Sequence, residues 1–417
     1  MKLKNFLKTL GPGILFASTA IGVSHLVQST RAGAKFGFGL VGLVLITNLI
    51  KYPFFEYGSR YANATGTSLI DGYKKIGKWM LYVYMAITAL SMFFVTAAVG
   101  FVTAGFLDNL FGLSTRFGLG NNQIILILFI ACTAVLLVGK YKVLDKMIKI
   151  IGITLLLSTL IAFILTLING PIEPHIAFIE PILWEMDNLP FIIALMGWMP
   201  TAVDLSTWNS IWTVERIKET NYKPSLKETL ADFNFGYIAS ALLSICFITL
   251  GAYLMFGSGE NLPDSAHLFA GKVVEMYTSA IGSWSFYLIA AASFSIMFGT
   301  AIAVFDGYAR SMSKCVSLIS EKEEKSANYS ITLIILIIVS FFIVNQFLHK
   351  LKDLIDLAMI ISFIIAPIIA IVNFKLVGKK YVGKDYEPKP WLKVLSYIGI
   401  TILTSFTLFF IYYRILI

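Results

Sequence analysis

The stretch that decides the fold is Leu15 to Gly37, LFASTAIGVSHLVQSTRAGAKFG, the first apolar segment long enough to cross a membrane. A spanning helix needs about 20 mostly apolar residues with every backbone group bonded within the segment. Ser18, Thr19, Gly22, Ser24 and His25 fall where the bilayer midplane would lie, the depth at which polar groups cost most. Such a break is tolerated only where it faces protein or a water-filled cavity. A second interrupted segment, Phe191 to Trp212 (FIIALMGWMPTAVDLSTWNSIW), lies about halfway along the chain. There Pro200 removes a backbone donor, Gly197 loosens the helix, and Thr201 and Asp204 add polarity at similar depth. Two Gly- or Pro-interrupted hydrophobic segments at corresponding places in two halves point to the binding site of a transporter.

Composition agrees with a membrane protein. Of 417 residues, 57% are hydrophobic and 14% charged, more apolar surface than a water-soluble chain could hide. The formal charge of +9 would suggest nucleic acid in a soluble protein, but the basic residues fall in loops between apolar segments, so the partner they imply is the lipid bilayer. Lys2, Lys4 and Lys8 before an apolar run imitate a secretory signal peptide. Because the next apolar segment pairs with the first as a helical hairpin, the expectation is that the segment is retained. Cys132, Cys246 and Cys315 lie in or beside apolar segments without metal-ligand spacing and read as small buried side chains, with no disulfide and no cofactor implied.

Eleven spans are expected, at about 9–31 (broken), 36–58, 78–107, 121–139, 143–168, 190–213 (broken), 229–256, 283–310, 330–348, 354–377 and 391–416. With the N-terminus inside, 25 of the 33 basic residues fall in inner segments, 7 fall in outer ones, and Lys51 is left within a span. That bias predicts a cytoplasmic N-terminus and, with an odd number of spans, a C-terminus outside the cell membrane. The acceptor patterns at Asn63 and Asn328 then lie on the cytoplasmic side and are expected to be unused. Residues Asp264 to Tyr277 have helical spacing of Leu268, Val273, Val274 and Tyr277, which suits an amphipathic helix over the outer face or a plain connector. Glu56 with Arg60, and Asp306 with Arg310, sit at ion-pair spacing near inner span ends, a structural pair or a gate.

Spans 1–5 (about 9–168) and 6–10 (about 190–377) form two five-span units, each opening on a broken helix, within one membrane domain. Because five is odd, the second unit starts on the opposite side, so the units are inverted repeats in an all-α, LeuT-type architecture with span 11 (391–416) appended.

Gly11-Pro12-Gly13, then Ala32-Gly33-Ala34-Lys35-Phe36-Gly37-Phe38, then Ser59-Arg60-Tyr61-Ala62-Asn63-Ala64-Thr65-Gly66 resemble the NRAMP family of proton-coupled divalent metal transporters. Met199-Pro200 is similar to that family's Met-Pro-His. The resemblance implies alternating access and a metal cation as substrate, with a proton as a possible coupling ion. It also implies departures. The family's Asp-Pro-Gly-Asn falls on Gly22, Val23, Ser24 and His25, so both oxygen ligands of that motif are missing. The thioether ligand is matched by Met199, the following histidine becomes Thr201, and the carbonyl donor falls on Met196. The family's acidic proton-pathway positions in span 3 fall on Thr96 and Val99.

Without those carboxylates a bare Mg or Mn ion would exchange tightly held water for too little charge. A thioether, an imidazole and carbonyls suit a softer ion such as Cu(I), or Zn. The candidate metal ligands are therefore Met199, His25 and Asp204, and the wider candidate substrate site comprises Ser18, Gly22, Ser24, His25, Met196, Met199, Thr201 and Asp204. Against each stands a plainer reading: Asp204 bonded to hydroxyls of Ser206 or Thr207, His25 as a satisfied core histidine, Met199 as packing. His175, His267 and His349 fall in outer loops and form no ligand cluster. The competing carrier reading is a relative that has lost metal binding and moves a small organic or anionic solute, for which Ser18, Gly22 and Ser24 leave room. No catalytic or nucleotide-binding motif and no pair of intramembrane aspartates supports an enzyme, and no repeated filter loop supports a channel.

Overall fold

A computed structural model describes residues 8–138, 157–174, 178–259, 262–322 and 326–416. The first part of span 5, His175 and the basic residues Lys2, Lys4, Lys140 to Lys149 and Lys325 lie outside them.

Span 1 is built from α1 (Pro12–Ala20), a π-helical stretch (Val23–Ser29) and α2 (Thr30–Phe36). Span 2 is α3 (Val41–Thr65), followed by the short α4 (Leu69–Ile76) and by α5 (Lys78–Phe111) as span 3. Spans 4 and 5 are α6 (Asn121–Val138) and α7 (Leu157–Asn169). Span 6 is split into α8 (Leu189–Gly197) and α9 (Leu205–Thr220). There follow α10 (Leu226–Leu254), the connecting α11 (Ala266–Ile281), α12 (Phe286–Ser320), α13 (Ser326–Gln346), α14 (Leu351–Leu376) and α15 (Pro390–Leu416).

Among the described residues, seven helices are long and apolar enough to cross a membrane on their own: spans 3, 4, 7, 8, 9, 10 and 11. Spans 1 and 6 fall short because they are broken. Span 2 has 25 residues but buries Lys51, Glu56, Arg60 and Asn63, so its length spans while its composition is too polar to stand alone in lipid.

Two layers hold the site. In the first, α1 and α2 pack on α10, α9 packs on α3, and α3 packs on α10. In the second, α5 packs on α12 and α13, with α6 against α5 and α13. Between them α14 touches α8, α5 and α3.

The first layer depends on very close backbones. A Cβ on Gly13 would lie 2.0 Å from the Asp232 carbonyl oxygen, and one on Gly236 would lie 1.9 Å from the Gly13 carbonyl oxygen. Only glycine lets α1 and α10 approach this far. Pro12 opens α1 without an N–H, and the flanking amides of Gly11 and Gly13 donate to the two oxygens of Asp232 at 3.2 and 2.7 Å. A carboxylate from span 7 thus caps the positive end of span 1.

The seven tryptophans divide by place. Trp79, Trp184, Trp284 and Trp391 are exposed near helix starts, as interfacial anchors are, and Trp198, Trp208 and Trp212 are buried around the span 6 break. The connecting helix α11 packs on α5, and its Phe269, Ala270, Val273, Val274 and Tyr277 are all buried, Tyr277 against Phe247 of α10. Leu268, expected on that face, points outward instead, because Phe269, Val273 and Tyr277 at i, i+4 and i+8 make the stripe. Both expected ion pairs form: Arg60 Nε lies 2.9 Å from Glu56, and Arg310 Nε lies 2.7 Å from Asp306.

Candidate functional site

The two breaks meet. In span 1, α1 ends at Ala20 and helical structure resumes at Val23, so Ile21 and Gly22 form the gap. In span 6 the gap runs over residues 198–204, where Gly197 allows the approach of α14: a Cβ there would lie 2.2 Å from the Met359 carbonyl oxygen. Ser24 ties the two together. Its hydroxyl sits 2.5 Å from the Ala20 carbonyl within span 1 and 3.3 Å from the Pro200 carbonyl across the gap.

A cavity lies at this junction. Thr19, Val23 and Ser24 from span 1 line one side, and Trp198, Thr201, Ala202, Asp204, Leu205 and Trp208 from span 6 line another. Span 3 adds Val95 and Val99, and α12 adds Thr300, Val304 and Tyr308. Its acid is Asp204, which accepts a 3.2 Å hydrogen bond from the Tyr308 hydroxyl. Tyr308 is held edge-on to Trp208 with ring centres 4.7 Å apart, so the acid, the phenol and the indole form one braced wall.

Of the eight residues of the candidate substrate site, Ser24, Thr201 and Asp204 line this cavity, as do Thr19 and Val99, which the sequence marked for midplane depth and for the span 3 proton-pathway position. The others surround it. Ser18 contributes its carbonyl to the Thr300 hydroxyl at 3.0 Å, and Gly22 lies against the Thr300 side chain. His25 turns towards α10: Nδ1 meets the Ser24 hydroxyl at 2.7 Å and Nε2 meets the Ser240 carbonyl at 2.9 Å. Both ring nitrogens are thus engaged within the fold. Met199 is fully buried beside the cavity. Met196 contributes its carbonyl, but to another side chain: Lys51 of α3, fully buried, donates to the carbonyls of Met196 at 2.6 Å, Gly197 at 2.8 Å and Thr201 at 3.3 Å.

Lys51 and the Trp198–Trp208–Tyr308 wall are the parts that sequence reasoning did not reach. The signal for Lys51 was present, a lone lysine inside the apolar run ITNLIKYPFF, because a charge at that depth must be paired or functional. Among the described residues, no group of three or more His, Cys, Asp or Glu side chains is gathered as a metal centre.

The family described as natural resistance-associated macrophage protein-like, Nramp, matches residues 13–413. The chain belongs to the Nramp family. It is a multi-pass membrane transporter with the LeuT-type fold. An uncharacterized protein of Pasteurella multocida (strain Pm70) is 36% identical over 405 residues, covering 96% of this chain and 91% of the relative. A divalent metal cation transporter, MntH, of Levilactobacillus brevis is 21% identical over 422 residues, covering 96% and 87%. Among solved structures, a mutant of the Eremococcus coleocola manganese transporter superposes with a TM-score of 0.74 at 13% identity, covering 97% of this chain and 86% of that one. This Nramp chain therefore shares its fold with a manganese transporter.

Proposed function

We propose that this Nramp transporter is a secondary carrier that works by alternating access about the cavity between its two breaks, and that the cavity takes a small organic solute bearing a hydrogen-bond donor. The two five-span repeats, about 9–168 and 190–377, each contribute to both packed layers, and those layers, spans 1, 2, 6 and 7 against spans 3, 4, 8 and 9, are the bodies that rearrange; the N-terminus faces the cytoplasm.

The observation that carries the substrate reading is the cavity's donor set. A divalent ion needs six or so oxygen ligands, with enough negative charge among them to offset its lost water. Here one carboxylate, Asp204, is joined by the hydroxyls of Thr19, Ser24, Thr201 and Thr300. The Met196 carbonyl is already taken by an ammonium. A carboxylate flanked by hydroxyls, Trp198 and Trp208 suits an amine or polyhydroxy compound once the rearrangement widens a cavity that here holds about 30 Å³, and Asp204 opposes an anionic solute.

A second reading is favoured by the metal substrates named for the Levilactobacillus and Eremococcus transporters: a divalent cation that keeps most of its water and meets Asp204 through it. The two are separated by calorimetry on purified protein with Mn, Zn and Mg salts against primary amines, amino acids and sugars, repeated with Asp204→Asn. The organic reading expects heat from one organic class, lost in Asp204→Asn, and none from the metals. Saturable binding of Mn or Zn that Asp204→Asn abolishes would establish the metal reading instead.

A further inference from the structure

Lys51 sits halfway along α3 with no surface exposed, and its ammonium meets three carbonyl oxygens, those of Met196, Gly197 and Thr201. No carboxylate lies within ion-pair distance of it among the described residues. Asp204 acts on its charge from beyond that distance, and a buried ammonium with no directly bonded counter-charge is costly, so closer acceptors must share the compensation. The compensation is the end of a helix. Met196 and Gly197 close α8, where the last turn's carbonyls have no intrahelical partner and the helix carries its negative pole. Thr201, from the far side of the gap, supplies the third acceptor, so the three N–H donors of the ammonium match three oxygens that span 6 itself leaves unpaired. Three convergent carbonyls at a broken helix make a site for a monovalent cation of roughly ammonium size.

We propose that this carbonyl cluster is a cation site whose occupant is tethered: Lys51 supplies from span 2 the positive charge that holds the two halves of span 6 in register, and the chain needs no free cation there. The inference concerns the break and holds whichever solute the cavity carries.

The test is to remove the tether and offer the charge back. In Lys51→Ala the carbonyls remain and the stem and ammonium leave a void. Thermal unfolding of the full-length purified chain is followed in choline chloride, with methylammonium, sodium or potassium chloride substituted at constant ionic strength. Lys51→Ala should melt below the wild type in choline and regain about a degree or more, saturably, with at least one small cation, whereas the wild type should not respond. Lys51→Met, which fills the void without charge, should melt low and stay unresponsive in every salt. Identical midpoints for Lys51→Ala in all the salts overturn the proposal. If neither variant can be purified folded, native acetylation of the wild type decides it. Lys51 should stay unmodified while exposed lysines such as Lys379 and Lys384 react, and acetylation of Lys51 in a still-folded chain overturns the tethered site.

Discussion

At the scale of single residues, Asp204 and Gly197 carry the largest expected effects. Asp204 is the cavity's carboxylate, and its Tyr308 bond survives in Asp204→Asn because the amide oxygen still accepts. The variant should therefore fold while losing a charge-assisted contact to the solute, about 1.5–3 kcal/mol or roughly ten- to a hundredfold in uptake rate. Tyr308→Phe should lose less, since it removes a positioning bond and keeps the charge. Gly197→Ala forces a methyl group towards the Met359 carbonyl, and either α14 or the break must shift; a loss of about 1–3 kcal/mol in unfolding free energy is expected, read as a lowered melting midpoint. Sequence made Asp204 and Thr201 visible because a polar residue at membrane depth is costly. Where His25 and Lys51 point was not legible, because orientation depends on which carbonyls from residues 196–201 and 240 arrive beside them.

At the scale of elements, the breaks were readable and their internal geometry was not. Glycine and proline mark the span 6 gap, and Gly22 marks the span 1 gap, since each weakens the helix at its own position. Nothing in hydrophobic spacing separates the π-helical stretch after Gly22 from an α-helix, and nothing local announces that the cap of α1 arrives from a span more than two hundred residues later. That cap makes a prediction at this scale. Asp232→Ala leaves the Gly11 and Gly13 amides without their carboxylate and should cost about 1 kcal/mol, with the loss read as faster hydrogen exchange in the first turn of α1. A second tie joins elements across the molecule: Arg31, from α2, pairs with both oxygens of Asp356 on α14 at 2.7 and 2.9 Å. A double-mutant cycle with Arg31→Ala and Asp356→Ala should return a coupling of about 0.5–1 kcal/mol in stability, because both side chains keep some contact with solvent.

At the scale of the whole molecule, an apolar body encloses a small polar region at the breaks, while other buried charges such as Glu56 with Arg60 are paired nearer the span ends. Leu45, Ile130, Ile338 and Leu408 present apolar side chains outward, as lipid-facing positions do, and the exposed tryptophans near helix starts suit the headgroup region. The hydroxyls, the carboxylate and the buried ammonium collect where the two broken spans cross. The proposed inversion of the two units rests on span order alone, because an odd five-span unit repeated once must invert.

The central claim is that solute passes through the cavity between the breaks and reaches it from each side in turn. Thr201→Cys places a thiol in that cavity, and the native thiols Cys132, Cys246 and Cys315 are all buried. In sealed vesicles a membrane-impermeant thiol reagent, added from either face in separate experiments, should label the introduced thiol from both and block uptake. Labelling from one face only, or labelling that leaves uptake unchanged, would contradict it.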